Sequence, residues 1–141
     1  MSSLAAFLKP AYTERKIEVV IGDRFLDEEG NPVPVVMKSL TQEQLNAIAK
    51  KSTKEKKVGN KTTTEIDYEE NMNRCLIESI VFPNLRDREL CLAYGTEDPV
   101  QLPSKMFLVD EFSILAKAFA KLNGLRDKNG DTRIPGEVTK N

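Results

Sequence analysis

The strongest constraint in this chain is the run over residues 69–124, which carries most of the helix-spaced apolar residues and both cysteines. Near its end Phe112, Leu115, Ala116, Phe119 and Leu122 recur at i, i+3, i+4, i+7 and i+10. That spacing gives one apolar face of a helix. Asp110 is the expected N-cap, Lys117 and Lys121 suit the negative end of the helix dipole, and Asn123-Gly124 forms a stop. Such a face is stable only when other elements cover it, so the rest of the chain must supply a lid. Upstream, Met72, Cys75, Leu76, Ile77 and Ile80 make the wider apolar face of a well-buried helix. Asp67 opens that helix, with Glu70 three residues later, and Pro83 ends it. Between the two, Asn84 or Arg86 starts a short helix through Leu90, Cys91 and Tyr94, stopped by Gly95. Asp98-Pro99 starts another, limited by Pro103.

The residues before this run predict a hairpin and one more helix. Ile17, Val19 and Ile21 alternate with other residues in strand fashion, and Val35, Val36 and Met37 lie in a second strand. Turn chemistry joins them around Gly30 and Asn31, so a β-hairpin is expected over 16–39. A two-stranded hairpin must pack on helices or pair with another chain. Thr41 and Gln44 form a capping box ahead of Leu45, Ile48 and Ala49. Residues 52–65 are polar and lysine-rich, with Gly59-Asn60 as a turn and a short strand possible over Thr62–Thr64. A flexible basic loop is expected there. Residues 1–14 form an arm in which Leu4, Phe7 and Leu8 are apolar and Pro10 stops the helix. That arm either docks on its own core or reaches a neighbouring subunit. Residues 125–141 read as a disordered tail. The fold class is therefore α+β: a mainly helical single domain over 15–124 with an N-terminal β-hairpin.

Composition removes several functional classes. The chain has 141 residues and no histidine, which excludes His-based triads, His general bases and His metal ligands. It has no GxGxxG or GxxxxGK[ST] loop. A net charge of −1 argues against a general nucleic-acid binder, and the lysines of 52–65 lack interleaved arginines or aromatics. No stretch has the length of a membrane span or a secretory leader. Cys75 and Cys91, without CxxC spacing, read as core thiols in a reducing compartment. The paired acids Glu28-Glu29 and Glu69-Glu70 are sequence neighbours whose side chains diverge, so neither makes an acid/base couple. Asp127, Asn129, Asp131 and Ile134 echo a calcium loop, but Thr132 replaces its glycine and Val138 its bidentate glutamate. A solvated turn is expected there. No catalytic, cofactor-binding or metal-binding residue emerges.

The order of features nonetheless resembles one family. It runs Asp23-Arg24-Phe25, the turn from Asp27 to Val33, Leu40-Thr41-Gln42-Glu43-Gln44, the Lys/Thr-rich segment, Val81-Phe82-Pro83-Asn84-Leu85, Asp87-Arg88-Glu89-Leu90, Tyr94-Gly95 and Leu122-Asn123-Gly124. Over about residues 15–125 this is similar to the XkdN-like tail assembly chaperones of tailed phages and prophages of Gram-positive bacteria. Where that family often enters its last helix through a Leu-Pro-Gly-Glu-like run, this chain has Leu108-Val109-Asp110-Glu111. The resemblance implies a non-enzymatic factor that needs no cofactor and works in the host cytoplasm. It would bind the tape measure protein, keep it soluble, help recruit tail tube subunits, form homo-oligomers and be missing from the finished virion. The alternative is a structural or scaffold component of the tail. A chaperone must offer apolar surface to its client. Phe107, Phe112, Leu115 and Phe119 are candidate client or subunit contacts, against the reading that they are simply core; their exposure decides.

Overall fold

A computed structural model describes residues 3–126 and 129–132. In order, the elements are α1 (Leu4–Leu8), β1 (Lys16–Val19), β2 (Val35–Lys38), α2 (Gln42–Lys51), β3 (Thr53–Val58), β4 (Lys61–Ile66), α3 (Tyr68–Ser79), β5 (Ile80–Phe82), α4 (Arg88–Ala93), a 3-10 turn (Pro99–Gln101), α5 (Leu102–Met106) and α6 (Val109–Leu122). The chain is a mainly helical α+β domain with small antiparallel sheets.

The expected N-terminal hairpin is present, and it pairs Lys16 with Lys38 and Val19 with Val35. Its first strand stops at Val19, because Ile21 turns inward and is buried. A third strand completes this sheet in the order β1-β2-β5. The helical reading over Met72–Ile80 did not include β5. Pro83 pushes Phe82 out of the α region, and β-branched Ile80 and Val81 suit a pleat. The chain therefore leaves α3 directly into an extended edge strand. Ser79 Oγ donates to Lys38 O at 2.7 Å and fastens that exit to β2.

Helices α3 and α6 pack on one another and on the inner face of the sheet. The core includes Met37, Cys75, Leu76, Leu85, Leu102, Leu115 and Phe119, all essentially without exposure. Both cysteines are free and buried; burial pushes the Cys75 thiol up to about 12 and raises that of Cys91 as well. The caps read from the sequence at Thr41 and Asp67 are formed: Gln44 N donates to Thr41 Oγ1 and Glu70 N to Asp67 Oδ1. Helix α4 is capped by Asp87, through Leu90 N, rather than starting at Asn84 or Arg86. Helix α6 begins two residues earlier than an Asp110 cap would place it, with Leu108 as the N-cap. The Glu111 carboxylate accepts from Leu108 N at 2.8 Å, and Asp110 Oδ1 accepts from Glu111 N at 2.9 Å, so both amides are satisfied without a cap from the Leu108 side chain.

The lysine-rich segment departs most from expectation. Where composition points to a flexible loop, β3 and β4 form a six-rung antiparallel ladder from Thr53↔Ile66 to Val58↔Lys61. Gly59, at φ +63°, makes the turn. Every residue of both strands is exposed, so no apolar alternation betrays them in the sequence. The ribbon is tied at its base, where Asp67 N donates to Ser52 O at 2.7 Å and Lys54 pairs with Glu70 at 3.0 Å. Burial pushes the Glu70 carboxyl up, but Lys54 and Arg74 outweigh it and hold it below its ordinary value.

At the other end, Leu125 packs against the core, and Arg126 bridges Thr132. The remainder of the expected tail, and Asp127 of the expected solvated turn, lie outside the described residues.

Candidate interaction site

The long connection between β1 and β2 builds a surface feature that hydrophobic periodicity does not reveal. Asp27 organises its tip by accepting from Glu29 N and Asn31 N, both at 2.9 Å, while Gly30 takes φ +82°. Val33 N donates to Phe25 O at 2.8 Å, so Phe25 and Leu26 are presented beside Val33 on one side of a small loop.

Arg24 fixes this loop to α6. Its Nη2 donates to Glu111 Oε1 at 2.6 Å and to Met106 O at 2.7 Å, and its Nε donates to Glu111 Oε2 at 2.9 Å. This is a two-pronged guanidinium–carboxylate pair, the geometry that suits arginine better than lysine. Glu111 is almost fully buried, so its charge must be paired where it stands. The Arg24 hydrogen bond holds the Glu111 carboxyl below the usual carboxylate range against the opposing effect of burial. The same contact raises the Arg24 guanidinium. The Arg24 guanidinium also lies 4.7 Å from the centre of the Phe25 ring. Phe25 in turn meets Phe107 edge-on at 83°, with centroids 6.4 Å apart.

The result is an apolar cleft of about 380 Å³. Val35 and Phe82 of the sheet form one wall, Phe25, Leu26 and Val33 of the loop a second, and Leu90, Tyr94, Met106 and Phe107 a third. Its rim is unusually apolar for a surface: Phe82 is 54% exposed and Leu26 50% exposed. A second hollow of similar size, lined by Asp67, Glu69, Asp98 and Ser104, is polar. Among the described residues no cluster of His, Cys, Asp and Glu is placed to hold a metal. No helix among them is long and apolar enough to cross a membrane.

The four candidate contacts separate in this geometry. Leu115 and Phe119 have no exposed surface and belong to the core, so they have nothing to offer a second chain in this conformation. Phe112 is half-buried against the same core. Phe107 is buried, yet its side chain forms part of the cleft wall. Sequence periodicity missed Arg24, Leu26, Phe82 and Glu111. One signal for Glu111 was present: it stands four residues before Leu115 and eight before Phe119, a charge on an apolar stripe. A charge there demands a partner from elsewhere in the chain.

The cleft gathers residues that carry the family resemblance, namely Arg24-Phe25, Val33, Phe82-Pro83, Leu90 and Tyr94. The phage XkdN-like tail assembly chaperone family matches residues 4–134. The uncharacterized protein YqbN of Bacillus subtilis (strain 168) is 34% identical over 126 residues, covering 86% of this chain and 85% of YqbN. XkdN of the phage-like element PBSX, from the same strain, is 31% identical over the same shares. The crystal structure of YqbN superimposes with a TM-score of 0.69 at 29% identity, covering 85% of this chain and 95% of that one. With a family match over nearly the whole described chain and a solved relative of the same fold, this protein belongs to the XkdN-like phage tail assembly chaperone family.

Proposed function

We propose that this chaperone binds the tape measure protein of its phage through the cleft between the Arg24–Val35 loop and β5. Binding keeps the tape measure protein soluble in the host cytoplasm and brings it together with tail tube subunits. The observation that carries the reading is the exposed apolar rim of Leu26 and Phe82 above a floor that includes Val35 and Phe107. An amphipathic helix can lay large apolar side chains into such a groove. Other exposed apolar residues on the helices, such as Leu92 on α4 and Val109 on α6, line no part of this cleft, which is where exposed apolar side chains border an apolar cavity.

Co-expression with the tape measure protein tests the proposal. The wild-type chain is expected to raise the soluble fraction of the tape measure protein and to co-purify with it. The double variant Leu26→Asp/Phe82→Asp is expected to retain its circular dichroism spectrum and lose both effects. Equal co-purification by wild type and variant would remove the cleft as the client site. Mass spectrometry of completed tails addresses the competing structural role: a chaperone is missing from them, whereas a stoichiometric tail component is retained.

A further inference from the structure

Among the described residues, two of the uncovered apolar features fit one another. The chain has six phenylalanines; four are half-buried or buried, and the two exposed ones are Phe7 and Phe82. Phe82 is on the cleft rim. Phe7 lies on α1, a helix that buries none of its residues. Phe7 is 82% exposed and its neighbour Leu8 is 73% exposed. No residue of that segment lines the cleft of its own chain. The segment joins the fold at Lys16, the end of β1 remote from Val19 and Val35, where the cleft lies. Charge also matches. Between α1 and β1, Lys9 and Arg15 outnumber Glu14, whose charge is paired with Lys16 at the start of β1. On the loop bordering the cleft, Asp23, Asp27, Glu28 and Glu29 outnumber Arg24, whose charge is committed to Glu111.

We infer that the cleft receives Phe7 and Leu8 of a second copy of this chain, with the basic segment behind α1 lying along the acidic loop. Two large apolar side chains enter an apolar cavity, and opposite charges set the direction of approach. The occupied cleft is thereby masked from water in the absence of client. That last consequence rests on the proposed client site; the docking of the segment does not.

Disulfide trapping tests the docking. Single variants Phe7→Cys and Leu26→Cys, carrying tags of different size, are mixed and mildly oxidised. Cys75 and Cys91 are buried and do not compete. The expected product is the mixed disulfide, in large excess over either same-variant dimer. Equal yields of all three dimers would overturn the inference. So would a Phe7→Cys/Leu26→Cys double variant that closes only within one chain, because the segment then folds back on its own cleft. A Phe7→Asp/Leu8→Asp variant, which touches no core residue, is expected to weaken self-association about tenfold or more in sedimentation equilibrium. Unchanged self-association of that variant, or a wild type that is monomeric at the highest attainable concentration, would also overturn it. If an excess of tape measure protein, added before oxidation, does not suppress the mixed disulfide, the client reading is removed and the docking is left intact.

Discussion

Two antiparallel hairpins in this chain are built by opposite means. The β1–β2 pair lies in a three-stranded sheet, and Val35 and Met37 of β2 are buried under the helices. The β3–β4 pair has six rungs against four, yet all its residues are exposed. In the first, a few residues are held by core burial and by β5. In the second, cross-strand hydrogen bonds, β-branched threonines and the pairs Lys54–Glu70 and Lys56–Glu65 stand without apolar support. Ladder length therefore says little about how strongly a hairpin is coupled to the domain; burial of one face decides it. The first hairpin also shapes the cleft, because its connecting loop and its second strand line two of its sides.

The comparison predicts a graded set of responses. The largest belongs to Met37→Ala, which empties a fully buried site where β2 meets the helices. It should cost about 2–5 kcal/mol in denaturant unfolding. Next is Arg24→Ala, which strands the Glu111 carboxylate in the interior. Because Arg24 is itself about a third exposed, the expected loss is about 2–4 kcal/mol, at or below the usual cost of breaking a buried pair. A loss under 0.5 kcal/mol would show that the loop is not locked to α6.

A smaller effect is pH-dependent. The folded-state Glu111 carboxyl is held below its ordinary value, so the unfolded chain takes up this proton first as pH falls. The pair's contribution is complete above about pH 4.3, the usual glutamate value, and is lost as pH falls from there through the folded value. Stability curves should therefore steepen below that point, and Glu111→Gln should flatten them. The smallest effect is expected at the ribbon. Gly59→Ala places a Cβ on a left-handed residue, which disfavours the turn locally. Global unfolding should nevertheless shift by less than about 0.5 kcal/mol, while amide exchange across β3 and β4 accelerates. A large global shift would mean that the ribbon is part of the cooperative core.

How far the sequence discloses this fold follows from what each signal depends on. The faces of α3 and α6 and the caps at Thr41 and Asp67 are local patterns, and they are found where the residues place them. Of the ribbon, the Gly59-Asn60 turn and a short strand over Thr62–Thr64 were legible, but β3 and the full length of β4 were not, because their residues show no alternation of polar and apolar side chains. Strand β5 was invisible because three apolar residues before a proline continue a helical pattern equally well. For the cleft, Phe107 stood among the candidate contacts but so did Leu115 and Phe119, because apolar residue type does not record which side chains meet solvent. The feature that shapes the cleft is a contact between Arg24 and Glu111, far apart in sequence. Only the misplaced charge on the α6 stripe hinted at it.

The cleft that Arg24 and Glu111 hold in shape is the proposed client site of this chaperone. Hydrogen exchange of the full chain, with and without tape measure protein, tests it most directly. The account predicts new protection over residues 24–35, 80–94 and 106–111, with β3 and β4 unchanged. Protection confined to residues 53–66, with the cleft segments exchanging as in the free chain, would contradict it.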